Sequence, residues 1–185
     1  MSYVDRSETK AYSAGTIVGL GGGYLLSRFI GAVAWVPAIV GGASFVLLKK
    51  VTKENTAVIA TLAALIAQAS WFLLGAILQP ERAPDVILDI VVDAVLIAAI
   101  YFRPGYVSAT ITIAWNAIGT ALIGYQLANA PEATGAALVS VEQRALVAHI
   151  ILRVIIVGAA AMIMIYKANP DLLPDDAEEE EAMAE

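Results

Sequence analysis

The chain has no cysteine. Disulfides, thiolate metal centres, iron–sulfur clusters and a cysteine nucleophile are therefore excluded. Charge is also scarce. Charged residues are 15% of the 185 residues and hydrophobic residues 59%, where a soluble domain is about a quarter charged and about half apolar. Histidine occurs once, too few for haem held by two axial imidazoles. No lysine lies in the middle of an apolar stretch, which argues against a Schiff-base chromophore. A glycine-rich phosphate loop, a zinc-ligand spacing and a basic nucleic-acid patch are all missing. Residues 1–10 lack the basic region, short apolar core and cleavage site of a secretory signal, so the first apolar stretch is expected to be a retained span.

What is present is more apolar surface than one soluble core of this length can hide. A bilayer removes that constraint, because lipid tails solvate the outer faces of helices. The expected fold is all-α, a polytopic integral membrane helical bundle. About 20 mainly apolar residues cross the hydrocarbon core, and reading between charged and turn-forming residues gives six spans: 11–28, 32–48, 56–78, 86–102, 107–128 and 144–166. Only Arg28 and Gly31 interrupt the run between the first two, so five spans with a re-entrant first segment is the alternative. The organisation read from this is a cytoplasmic N-terminus (1–10), a six-helix transmembrane domain (11–168) and an acidic cytoplasmic tail (169–185). Eight of the seventeen acids lie in that tail, whose composition predicts disorder. The net charge of −6 therefore belongs to the tail, and the membrane body is slightly basic.

Orientation follows the Lys/Arg bias of short loops. With six spans and an inner N-terminus, Lys49, Lys50, Lys53, Arg103 and Lys167 all fall inside, leaving Arg28, Arg82 and Arg144 outside. Both termini are expected in the cytoplasm, with the chain integral to the plasma (inner) membrane.

Three patterns could carry function. The first span holds a small-residue row at four-residue spacing, Gly15, Gly19, Gly23, Ser27 and Gly31, preceded by Ala11. Such rows let helix backbones approach closely, within the bundle or against another chain. The fifth span carries Ser108, Thr112, Asn116 and Thr120 on one face. These residues form either a set of hydroxyls bonded back to their own helix or the polar wall of a cavity, with Gln68 of the third span as a further neutral ligand. Asn116 near mid-helix needs a protein or water partner. Ionisable groups give the third pattern. Asp89 and Asp93 stand one turn apart on the fourth span, and His149 and Arg153 one turn apart on the sixth. Charged groups at membrane depth normally face the bundle interior and pair. At about 1.5 Å per residue, counting from the outer ends places Asp93 level with Arg153, and counting from the inner ends places Asp89 there. Such a pair either fixes helix register or, with the surplus carboxylate and the histidine, relays protons or binds a cation.

In size and span number the chain resembles the substrate-capture subunits of vitamin transporters, a resemblance of architecture and not of motif. The function expected is a small transporter or channel for a small solute or ion. The alternative is a non-catalytic subunit packing onto a larger complex through the glycine-rich first helix. Expected partners are the lipid bilayer and a homo-oligomer or larger membrane complex, and no nucleic acid. No cofactor or metal is implied. An intramembrane enzyme is disfavoured: Ser44 and His149 resemble the pair of rhomboid proteases only loosely, and roughly 15 Å along the membrane normal separates them.

Overall fold

The computed structural model describes residues 35–52, 54–129 and 141–169, and every regular element among them is helical. The elements are α1 (Trp35–Val51), α2 (Thr56–Leu78), a short 3-10 turn (Pro80–Arg82), α3 (Ala83–Phe102), α4 (Tyr106–Ala128) and α5 (Val141–Ala168). The expected first span at 11–28, its small-residue row, Lys53 and the acidic tail from residue 170 onward lie outside the described residues.

Local chemistry explains the boundaries. Asn55 caps α2, its side chain accepting from the backbone N–H of Val58 at 3.0 Å. The α3–α4 connection is closed by Ser108, whose hydroxyl donates to the Arg103 carbonyl at 2.8 Å and accepts from the Gly105 N–H at 3.1 Å. The helix expected at 86–102 begins a turn earlier, at Ala83. Pro84 sits comfortably in that first turn, where a backbone N–H has no helical partner to lose. At the far end of the chain, α5 runs beyond the apolar stretch 144–166 at both ends.

Among the described residues three helices are long and apolar enough to cross a membrane: Thr56–Leu78, Tyr106–Ala128 and the Ala145–Ala168 part of α5. The expectation of six spans is thus met only in part. As described, α1 has 17 residues, and α3 carries Asp85, Asp89 and Asp93 within its 20.

At the centre, α2 packs against α1, α3 and α5, while α4 packs against α5. Little contact joins α3 to α4 beyond their connection, and the backbones of α3 and α5 do not approach one another. Successive helices run in opposite directions, α4 and α5 meeting at Gly105 with Lys167 and at Gly119 with Arg153. Lys49 and Lys50 in the last turn of α1, Arg103 after α3 and Lys167 in the last turn of α5 consequently share one end. A Cβ placed on Gly105 would lie 4.0 Å from Lys167 Nζ, so the α3–α4 turn meets the end of α5 there.

The interior is layered along the bundle axis. Toward the basic end Val58, Leu62, Leu65, Leu96, Ile100, Ala109, Ile156, Ala160 and Ile163 form a continuous apolar core. Above it stand the buried polar residues Gln68, Asp93, Asn116 and Arg153. The outward faces are apolar in a way water would not tolerate, with Ile87, Leu88, Val91 and Val95 of α3 all more than half exposed.

Close approach of α1 and α2 depends on Gly41. A Cβ there would stand 3.0 Å from the Ala67 Cβ and 3.5 Å from the Ala63 carbonyl oxygen. Replacing Gly41 with Leu should destabilise the folded protein by about 1–3 kcal/mol, read as a lowered thermal midpoint in detergent. Gly75, whose added Cβ meets nothing within 4 Å, should accept Ala without loss. Equal midpoints for the Gly41→Leu and Gly75→Ala proteins would remove this account of the α1–α2 contact.

Candidate functional site

Arg153 is buried in the polar layer, on the face of α5 turned toward α3 and α4. Its Nη2 donates to Asp89 Oδ1 at 2.6 Å, a charge-assisted bond across the gap between helices whose backbones do not touch. Its Nη1 stands 3.5 Å from Asn116 Oδ1, at the outer limit of hydrogen bonding. The guanidinium carbon lies 5.8 Å from the centre of the Phe72 ring, within cation–π range. Gly119 makes this position possible. A Cβ on that glycine would clash with the guanidinium carbon and Nη1 and lie 2.8 Å from Nε. The arginine head therefore lies directly on the backbone of α4.

Of the two aspartates only Asp89 pairs with Arg153, the match that counting from the inner ends predicts. Asp93, one turn deeper, is completely buried. It has no cation in hydrogen-bonding contact among the described residues. Gln68 Nε2 donates instead to both of its carboxylate oxygens, at 3.1 and 3.2 Å, and approaches Asn116 Oδ1 at 3.3 Å. Gln68 Oε1 and Arg153 Nε are buried with no hydrogen-bond partner among the described residues.

His149 does not face a carboxylate. Its Nε2 accepts from the indole N–H of Trp71 at 2.8 Å, which leaves the ring proton on Nδ1. The imidazole also packs against Phe72, with ring centres 5.0 Å apart. Neither Trp71 nor Phe72 was a sequence candidate. Both lie one turn beyond Gln68 on α2, and an aromatic pair in an apolar run carries no signal of a polar partner.

The row on α4 divides by residue. Ser108 closes the turn described above. Thr112 and Thr120 donate to the carbonyls of Ser108 and Asn116, four residues back, each at 2.8 Å. Asn116 also donates to its own helix, to the Thr112 carbonyl at 3.0 Å, but its carbonyl oxygen faces Gln68 and Arg153. Only Asn116 of the four reaches another helix through a hydrogen bond. The small-residue row of the first expected span lies outside the described residues, as noted above.

A cleft of about 720 Å³ opens between α3, α4 and α5 at the end opposite the basic residues. Asp89, His149 and Arg153 lie on its walls, with Asp85 and Gln126 toward the mouth and Trp115, Ile118, Gly119 and Leu122 along α4. Leu88, Ile118 and Leu122 on the rim are each about 60% exposed, so the cleft also opens sideways onto the apolar flank. Gln68, Asp93 and Asn116 are not on its wall; they lie beyond the Asp89–Arg153 pair. Trp115 contributes a buried indole N–H with no partner among the described residues. No group of three His, Cys, Asp or Glu among the described residues could hold a multivalent metal ion.

Gly119 went unnoticed in the sequence, where one glycine between Ile118 and Thr120 reads as an ordinary small residue. Its replacement by Ala should push the guanidinium off Asp89 and destabilise the protein by about 1–3 kcal/mol. That loss should be strongly non-additive with Asp89→Asn, because both changes break the same bond. Gly124→Ala, further along α4 with nothing within 4 Å, is the neutral control. Additive midpoint losses in the Gly119→Ala/Asp89→Asn double variant would refute the dependence. No protein-family model, curated protein or solved structure matches the chain.

Proposed function

We propose that the chain is a small membrane transporter or channel for a small solute or ion. In this reading it crosses the plasma (inner) membrane six times with both termini in the cytoplasm, and its access path is the α3–α4–α5 cleft. The observation that carries the reading is the arrangement along the bundle axis. A cleft of about 720 Å³ enters from one end and stops at the Asp89–Arg153 pair. Behind the pair lies a buried carboxylate without a cation partner among the described residues, and behind that a continuous apolar core. A salt bridge that only fixed helix register would need neither a cavity on one side nor a second carboxylate on the other. An open half, a polar middle and a sealed half is the arrangement expected of one state of an alternating-access device.

The sharing of one end by Lys49, Lys50, Arg103 and Lys167 supports placing that end in the cytoplasm and the cleft toward the outside. The solute must suit a mainly apolar cleft whose walls carry Asp85, Asp89, Gln126, His149 and Arg153. The Asp89–Arg153 bond is the gate: the guanidinium must leave Asp89 or Asn116 before the polar layer is reached from the cleft.

The first experiment is native mass spectrometry of the protein extracted in mild detergent from its own membrane. A retained small molecule identifies the solute, whose uptake is then followed in proteoliposomes. Asp89→Asn and Asp93→Asn proteins that fold normally should each take it up at least about tenfold more slowly, the loss expected when one group of a paired site is removed. Uptake unchanged in both variants would sink the transport reading. Stoichiometric co-purification of larger polypeptides with no retained solute would favour the subunit role instead.

A further inference from the structure

Three oxygen atoms converge on a single point in the polar layer. Both carboxylate oxygens of Asp93 and the Asn116 carbonyl oxygen lie 3.1, 3.2 and 3.3 Å from Gln68 Nε2, and belong to two different helices. The nitrogen occupies the centre of an oxygen cluster. Its companion atom, Gln68 Oε1, is a fourth oxygen on the same amide, buried on a side chain only 1% exposed and without a partner among the described residues. An amide that satisfies its nitrogen three times over and its oxygen not at all is placed for exchange. Turning it over would put Oε1 where Nε2 now stands, beside the other three, and the four oxygens would form one side of a coordination shell with one formal negative charge among them.

Among the described residues that carboxylate makes no ion pair of its own. The charged groups near Asp93 are Asp89 on its own helix and Arg153 on α5, and these two are bonded to each other. From α2 it meets the neutral Gln68, and Asn116 of α4 adjoins that same amide. His149 of α5 is engaged by Trp71. A carboxylate removed from water without a cation is costly and at membrane depth is normally matched by a bound or mobile positive charge. A proton would sit on one oxygen and would not require three to converge. A divalent ion would call for more carboxylates than the single one here.

We propose that Asp93, Gln68 and Asn116 form a binding site for a monovalent alkali cation, entered by reversal of the Gln68 amide. Within the transport reading, on which this assignment of role rests, the cation is the coupling ion. Arg153 separates it from the cleft, touching the outer carboxylate Asp89 with one nitrogen and facing Asn116 with the other. Cation binding pulls Asn116 Oδ1 toward the ion and away from Nη1, which weakens the inner hold on the gate.

The test uses the purified full chain in detergent, with thermal midpoints read from tryptophan fluorescence at mildly alkaline pH. Sodium, potassium and choline chloride are compared at constant ionic strength. One alkali salt should raise the midpoint by about 5 °C over choline with saturable dependence, since a ligand bound only by the folded state stabilises it. Asp93→Asn should abolish the response while leaving the midpoint in choline no lower than that of the parent. Should that variant fail to fold, Asn116→Ala removes one oxygen and should raise the half-saturating salt concentration at least tenfold. Equal midpoints in all three salts, or an unshifted half-saturation in Asn116→Ala, overturns the site. A midpoint that responds to acidification alone, equally in every salt, also overturns it and assigns the compensating charge to a proton. Saturable binding without solute uptake would keep the site and discard the transport role. Uptake indifferent to alkali cations would do the reverse.

Discussion

The described bundle is held by α2 at its centre, and its one open seam is bridged by a single guanidinium. α3 and α5 make no backbone contact, and α3 barely meets α4 beyond their connection. Across that gap the described residues offer one ion pair, from Arg153 to Asp89 at 2.6 Å. In water such a pair would contribute little, because both partners would exchange it for hydration. Here Arg153 is almost fully buried and its partner about a quarter exposed. Separating them would take from the buried guanidinium its one ion-pair partner among the described residues. The bond is therefore strong less for its own sake than because its alternatives are poor. Gly119 is its silent component, since any side chain there would occupy the space the guanidinium fills.

The layering of the interior follows from where the polar residues fall on helices of alternating direction. Gln68 lies just past the middle of α2, Asp93 at the middle of α3 and Arg153 just before the middle of α5. All three lie within about two residues of their helix midpoints, so side-by-side packing brings them to one level, and the antiparallel directions stack the apolar positions Leu65, Leu96 and Ile156 beneath them. A single polar layer results, sealed on one side and reached by the cleft on the other.

Much of this was legible in the sequence. Apolar run length alone placed α2 at its observed bounds, Thr56–Leu78, since Asn55 and Gln79 interrupt the run where the helix ends. The spacing of Asp89 with Asp93 and of His149 with Arg153 put each pair on one face, and helical rise left two registers open. Side-chain reach chooses between them, because a long arginine can span a gap between helices that do not touch. The partner of His149 could not be read, because Trp71 gives no sign in sequence that its N–H faces inward. The α4 row could not be apportioned either. Ser and Thr find acceptors one turn back on their own helix, whereas an asparagine amide has both a donor and an acceptor to place. Hydroxyl spacing records neither difference. Gly41 and Gly119 were invisible for a related reason: a glycine's role in close packing depends on what stands opposite, and no pattern within its own helix reports it.

The polar layer also has a charge count that bears on how it would move. Three formal charges lie there, Asp89, Asp93 and Arg153, and only two of them are matched. With no further ion, Arg153 stands between two carboxylates and must favour one; the structure has it with the outer one. Neutralising Asp93 leaves Asp89 as the sole counter-charge, and removing that neutralisation lets the inner carboxylate compete for the same guanidinium. Two arrangements of one side chain, differing by which carboxylate it serves, form a bistable element whose balance is set by a single bound charge. The orphaned Gln68 oxygen lies on the group that would have to turn for that charge to enter. In the proposed transporter, ion occupancy and the position of the gate are thus one equilibrium, because two acids and one base leave one acid to be neutralised by whatever enters the layer.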